Sequence, residues 1–382
     1  MARSLTTEIV PDVLKWLRTS AGWQIEDVGR RLRITPETVK DLESGKKKPT
    51  LGQLRVLSKI YKRPLASFFL SKPKEEKPMP KDYRLLPNRT GTFDRKTVLA
   101  IRRSRSLQRI GRELSPNIRY ETSTKLKMAM LTDNPEVIAA RSKELFDLNL
   151  DKQRQFKDAY KTFGFLRDVL EDLNVLVFQF PMPIEDTRGF ALADEIPNII
   201  VINSRDSIEA RLFTMMHEFG HIILGETVID LPEESLLIRN NIEAWCNEFS
   251  SSFLLSDKIA NELFNEYMGS LTDTATLNSL SRKYKVSKVL LLVKMVNLSY
   301  ITEQDFNSVL ARYVPKEIKP EKEKKRAISM ASDQRCLSEI GNKFVSIVAS
   351  NFDREFITYN DALSYLSIKS KNFDRVLARA RK

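Results

Sequence analysis

The chain has 382 residues, 42% of them hydrophobic and 30% charged, with only 12 Gly and 16 Pro. That length favours two or three domains, and that composition excludes wholesale disorder and collagen-like or loop-dominated scaffolds. Residues 1–130 hold 30 basic against 13 acidic side chains, net +17, residues 131–310 hold 17 against 28, net −11, and residues 311–382 hold 16 against 9, net +7. This asymmetry predicts that the front of the chain meets a polyanion such as nucleic acid. No apolar run reaches the roughly 18 residues needed to span a bilayer, and residues 1–10 contain no signal-peptide core. Cys246 and Cys336 form neither a CxxC pair nor a disulfide framework, which fits a reducing compartment. A cytoplasmic protein with no membrane partner is expected.

The first 70 residues read as a compact all-α domain. Val10, Val13, Leu14 and Leu17 recur at helical spacing around Pro11 and Asp12, and Gly22 closes this helix. A second helix is predicted over 24–32, and a third begins at the Thr35 cap with Pro36 at its first position and stops at Gly45. Two more amphipathic pieces follow over 51–61 and 65–70. A Lys-, Glu- and Pro-rich linker starts after residue 71, and a basic helical stretch containing IRRSRSLQRIGRE covers 93–130. Residues 141–173 are helical by pattern. The β region consists of the runs 175–180, 189–193 and 199–203, rich in Val, Ile and Phe. Helices return over 207–224, over 242–255 and in shorter pieces to 307. Within them, residues 277–296 have the pattern of a second helix-turn-helix. A charged linker at 316–326 precedes a final helical segment, 327–382.

The chain has two histidines, His217 and His221, in MMHEFGHIILG with Glu218 between them. Two histidines placed at random would take this spacing about once in 200 placements, before the glutamate is required. On a helix, residues i and i+4 share a face, so both imidazoles reach one cation while Glu218 stands beside it. Zn²⁺ suits neutral imidazoles and acidifies a bound water, and Glu218 is placed to act as general base, then acid, in peptide hydrolysis.

A catalytic zinc site needs a third protein ligand, and no further histidine exists. The longer HExxHxxGxxH pattern fails because residue 227 is Thr. Carboxylates following the motif are Glu226, Glu233, Glu234, Glu243 and Glu248. Glu226 is too close to fold back easily, and Glu233 and Glu234 fall in a Pro-containing loop, whereas IEAWCNEFSSSFLLS reads as a helix. Glu243 is favoured, with Asn247 one turn later to orient a histidine. Glu248 and the Cys246 thiolate stay as alternatives.

With HEFGH and the EAWCNEF helix in view, residues 131–310 resemble the ImmA/IrrE family of metallopeptidases. The carrying motifs are RLFTMMHEFGH and EAWCNEFSSSFLLS, in which the family's ligand glutamate maps onto Glu243 and its small-plus-Asn pair onto Cys246 and Asn247. Serines 250–252 and Ser256 depart from the usual alanines and proline, changes of packing away from the metal ligands. The resemblance implies a gluzincin-like zinc site and a substrate that is often a helix-turn-helix repressor, cleaved under stress or during mobile-element induction. QIEDVGRRLRITPETVKDLESGKKKPT is similar to the XRE-type helix-turn-helix, with Arg33 where glycine is usual. Arg33, Thr38, Lys40, Lys46 and Lys47 are its candidate DNA contacts. The recognition helix itself carries Lys40 against Glu37, Asp41 and Glu43, a net of −2, so phosphate contacts must come from the basic residues around it.

The expected architecture is multidomain: an all-α helix-turn-helix domain (1–72), a linker and basic helical connector (73–130), an α+β gluzincin-like zinc peptidase domain (131–310) and a charged linker with a helical C-terminal region (311–382). The expected function is zinc-dependent endopeptidase activity coupled to DNA binding, in regulatory proteolysis of a transcriptional repressor or toxin–antitoxin partner. The alternative is a DNA-binding regulator or antitoxin that uses the peptidase fold only to hold a partner. Expected partners are a protein substrate, double-stranded DNA and a second copy of the chain in a homodimer. One of the runs 189–193 and 199–203 is expected to form a sheet edge beside the metal and to receive an extended peptide.

Overall fold

The computed structural model describes residues 6–74, 93–118, 126, 128–225, 236–313 and 331–380. The linker reading over 316–326, most of the one after residue 71, and Glu226, Glu233 and Glu234 lie outside these residues. The chain forms two compact units that meet in sequence between Arg103 and Ser104. No helix among the described residues is long and apolar enough to cross a membrane.

The N-terminal unit contains α1 (Pro11–Thr19), α2 (Ile25–Leu32), α3 (Pro36–Glu43), α4 (Leu51–Tyr61) and a short 3₁₀ segment, Leu65–Phe69. Its ends follow local chemistry. Thr35 accepts from the Thr38 amide at 3.2 Å, and Thr50 and Gln53 cap α4 reciprocally. Val13, Leu14, Leu17, Val28, Val39, Leu42, Leu54 and Leu57 fill one core, closed by Trp23 and Tyr61. Between α2 and α3 the chain turns through Arg33 in the left-handed region (φ 57°, ψ 45°), so arginine tolerates the place where glycine is usual. Gly29 makes that turn possible, because a Cβ there would sit 2.9 Å from the Ile34 carbonyl oxygen.

The helix α5 (Arg95–Leu114) runs across the boundary between the units. The larger unit continues with α6 (Pro135–Leu145), α7 (Leu150–Gln155), α8 (Ala159–Asp172), β1 (Val175–Phe180), β2 (Gly189–Leu192), β3 (Asn198–Asn203), α9 (Ile208–Leu224) and α10 (Leu236–Leu254). It is completed by α11 (Asp257–Glu266), α12 (Thr274–Tyr284), α13 (Lys288–Asn297), α14 (Glu303–Tyr313), α15 (Ser332–Ile340), α16 (Asn342–Asp353), α17 (Tyr359–Leu366) and α18 (Phe373–Ala380). The sheet order is β1-β3-β2. The central β3 pairs parallel with β1, Val175 opposite Asn198, and antiparallel with β2, Gly189 opposite Ile202. Val175, Val177, Ile200 and Ile202 face a core shared with α8, α9 and α10. The alternate residues face the other way: Leu176 lies near Gly111 of α5, and Phe178 meets Phe344 of α16 edge-on. Both faces are covered, which is why β1 and β3 read as continuous apolar runs.

The C-terminal helices are part of this unit. Arg167, in a buried ion pair with Glu171, donates to the carbonyls of Leu337 (3.2 Å) and Ser338 (2.9 Å), and Glu171 accepts from the Lys343 amide at 3.1 Å. Gln179 of β1 donates to Ser338 at 2.9 Å. Gly341 leaves room for this cluster, since a Cβ there would lie 2.1 Å from Glu171 Oε1. The α12–α13 pair turns through Lys285 (φ 57°) and Val286 to a Ser287 cap, a tight three-residue turn like that through Arg33, Ile34 and Thr35 between α2 and α3.

Candidate metal centre

α9 carries the two histidines because its sequence closes a helix around them. Ser207 caps it by accepting from the Ala210 amide at 3.2 Å, and Gly225 ends it at φ 69°. Leu212, Met216, Phe219 and Ile223 are buried against the core, which fixes the rotation of the helix and turns His217 and His221 inward. α10 crosses close to it at Gly220, where a Cβ would stand 3.2 Å from Cys246 Sγ and 3.4 Å from Phe249 Cδ1. Trp245 stacks on Phe249 at 5.4 Å and donates to the Asp133 carbonyl at 2.8 Å, fixing α10 in turn.

That crossing brings Glu243 to the histidines. Its carboxylate oxygens lie 3.2 Å from His217 Nε2 and 3.3 Å from His221 Nε2, and the two nitrogens are 3.1 Å apart. Ligand atoms about 2.0–2.2 Å from a tetrahedral zinc stand roughly 3.3–3.5 Å from one another. Each imidazole nitrogen faces a different oxygen of the one carboxylate at close to these separations, and two imidazoles with a carboxylate are a donor set zinc accepts. Burial pushes the Glu243 carboxyl up, but its hydrogen bonds with the two imidazoles outweigh this and hold it well below the ordinary carboxylate range.

The alternative ligands stand elsewhere. Glu248 Oε1 accepts from Ser252 at 2.8 Å and pairs with Lys294 at 3.3 Å. Cys246 Sγ lies 3.6 Å from His221 Nδ1, the ring nitrogen on the side away from Glu243, so it cannot share an ion with Nε2. Burial pushes the Cys246 thiol up. The expectation that Asn247 orients a histidine is corrected: Asn247 is exposed, no hydrogen bond ties it to either histidine, and Cys246 occupies the place behind His221. Facing α9, α10 turns residue 246 inward and residue 247 out.

Glu218 is buried beside the histidines and faces β2. A Cβ at Gly189, the first residue of that strand, would lie 2.5 Å from Thr214 Cγ2, 2.8 Å from the Val201 carbonyl oxygen and 3.4 Å from Glu218 Oε1. Among the described residues β2 is an edge strand, whereas β3 is central, so of the two runs the first lies at the sheet edge near Glu218. Gly189 does not stand out in the sequence, although a glycine opening a strand is a signal of close approach.

In the N-terminal domain Arg33, Lys40, Lys46 and Lys47 are exposed, and Thr38 is half-buried beside the Thr35 hydroxyl at 3.0 Å. Lys47 pairs with Asp41 at 3.0 Å.

Residues 170–295, which contain the whole centre, match the family described as the IrrE N-terminal-like domain, a peptidase family, and residues 14–68 match a helix-turn-helix family. No curated protein matches the chain. The domain at 170–295 therefore belongs to the IrrE/ImmA-like peptidase family, and the one at 14–68 is a helix-turn-helix of the XRE type.

Proposed function

We propose that the protein is a zinc-dependent endopeptidase with a DNA-binding domain, acting in regulatory proteolysis of a transcriptional repressor or a toxin–antitoxin partner. The observation that carries this reading is the convergence of His217 Nε2, His221 Nε2 and Glu243 within 3.3 Å of one another, with Glu218 buried alongside. His217, His221 and Glu243 hold the zinc. When bound, zinc supplies Lewis acidity to the scissile carbonyl and to water. Glu218 accepts a proton from the attacking water and returns it to the leaving amine. The edge of β2 pairs with the substrate backbone and holds it extended across Glu218. The helix-turn-helix domain brings double-stranded DNA into the same chain, which suits a substrate that is itself a DNA-bound regulator.

The test is Glu218→Gln against wild type, with a helix-turn-helix repressor or antitoxin that wild type cleaves as substrate. The variant retains zinc, because residue 218 is not a ligand, and loses cleavage by at least about a hundredfold. Wild-type cleavage by the glutamine variant overturns the mechanism.

A further inference from the structure

The wall behind His221 holds a group that the metal ligands alone do not account for. His221 Nε2 points to His217 and Glu243, and Cys246 Sγ lies 3.6 Å from the opposite ring nitrogen, Nδ1. The sulfur is buried in the seam between α9 and α10, 3.2 Å from where a Cβ at Gly220 would be. The glycine thus lets α10 approach until a side chain of two heavy atoms just reaches the imidazole. A neutral imidazole that offers Nε2 to a cation carries its hydrogen on Nδ1, and that hydrogen needs an acceptor to hold the ring in place.

We propose that Cys246 is a positioning residue for His221: its sulfur accepts the Nδ1–H hydrogen bond, selects the tautomer that presents Nε2 to the metal, and fixes the plane of the ring. The role rests on reading His217, His221 and Glu243 as a zinc site. Sulfur takes the place usually held by a carboxylate, carbonyl or water behind a ligating histidine, and its weaker acceptor strength keeps His221 a softer donor than a carboxylate partner would make it. The thiol is not itself a ligand.

The experiment compares full-length wild type, Cys246→Ala and Cys246→Ser by zinc competition against a chromophoric chelator, by thermal unfolding of the metal-free proteins, and by the absorption spectrum of the cobalt-loaded forms. The alanine variant is expected to bind zinc about tenfold more weakly, and serine, whose hydroxyl can accept the same hydrogen bond, to recover most of the loss. The cobalt d–d bands shift in the alanine variant and return towards wild type in the serine variant, and no form shows a thiolate-to-cobalt charge-transfer band. If alanine binds zinc within about twofold of wild type while its metal-free form melts lower, the thiol only packs and the proposal is wrong. A charge-transfer band in wild type that is lost in both variants makes Cys246 a ligand and also overturns it. The reading beneath it fails in a different way: wild type takes up no more zinc than His217→Ala.

Discussion

The carboxylate of Glu43, the last residue of the recognition helix α3, is buried against the guanidinium of Arg18, with nitrogen–oxygen distances of 2.6 and 2.9 Å. One of the three acidic residues counted against DNA on this helix is therefore turned into the domain and neutralised. Asp41 is paired with Lys47 at 3.0 Å, which leaves Glu37 opposed to Lys40 on the helix itself, with Arg33 and Lys46 exposed beside it. The surface charge of α3 is more favourable to a phosphate-lined groove than the sequence count of −2.

Duplex DNA binding by the full chain is accordingly expected to weaken steeply with salt. Lys46→Ala lowers affinity across sequences and reduces the slope of log K against log salt by about 1, as loss of one phosphate contact requires. Fluorescence anisotropy over a salt series measures both, and salt-insensitive binding contradicts a phosphate role for this face. Arg18→Ala, by contrast, leaves a buried unpaired carboxylate and costs the domain about 3 kcal/mol of stability, read by denaturant unfolding.

Metal analysis separates the ligands from their neighbours. Protein purified without chelator is expected to hold about one zinc per chain, with most of it lost in His217→Ala and in Glu243→Ala, because each removes one of three protein ligands. Glu248→Ala keeps its zinc, since Glu248 is engaged by Lys294 and Ser252. Zinc loss in Glu248→Ala with retention in Glu243→Ala would reverse the assignment.

The two strand runs part company under proline substitution. Ala191→Pro in the edge strand β2 is expected to leave the protein folded and zinc-loaded but slow to cleave, because it alters the edge offered to a peptide. Val201→Pro breaks the central strand, where Val201 pairs with both Phe178 and Phe190, and is expected to misfold. Gly189→Ala forces a Cβ against Thr214 and the Val201 carbonyl beside Glu218, so it lowers cleavage while keeping zinc. Zinc content, circular dichroism and cleavage rate, taken together, check all three. Normal cleavage by a folded Ala191→Pro chain argues against capture along β2.

Burial holds the Lys143 ammonium down to about 8, with its Nζ 3.4 Å from Gln153 Oε1 and above the Phe253 ring. The unfolded chain keeps its proton to the ordinary lysine value of 10.5, so between these pH values the unfolded state binds more protons and stability rises with pH. Urea unfolding at pH about 7.5 and about 9.5 is expected to give wild type a gain of about 1–2 kcal/mol over Lys143→Met across that interval. Equal responses of the two proteins would mean that Lys143 titrates normally.

Much of the fold was legible from local spacing. The periodicity of α9, the His217–His221 interval, the caps at Thr35 and Ser207, and the apolar runs of β1 and β3 each depend on residues a few positions apart, whose relation is set by the geometry of a helix turn or a strand. In the same way HEFGH puts two histidines and a glutamate on one turn of helix without any long-range contact. What lay beyond that reach was every choice between residues on different elements. Glu243, Cys246 and Asn247 sit on one flank of α10, with Cys246 about 60° to one side of Glu243 and Asn247 about 40° to the other. Which of the two stands behind His221 depends on the rotation of α10 about its axis, and the stacking of Trp245 on Phe249 and the close passage at Gly220 decide that. Strand order likewise left no mark on the runs at 189 and 199. Both are apolar, and only pairing with β1 makes β3 central and leaves β2 at the edge beside Glu218. Glu43 looked like surface charge because its partner, Arg18, lies 25 residues away. The sequence alone determined which side chains are available for the proposed chemistry. Packing between distant segments decided which carboxylate joins the histidines, which side chain backs them, and which strand lies at the sheet edge near Glu218, since burial and close approach are properties of paired surfaces rather than of neighbouring residues.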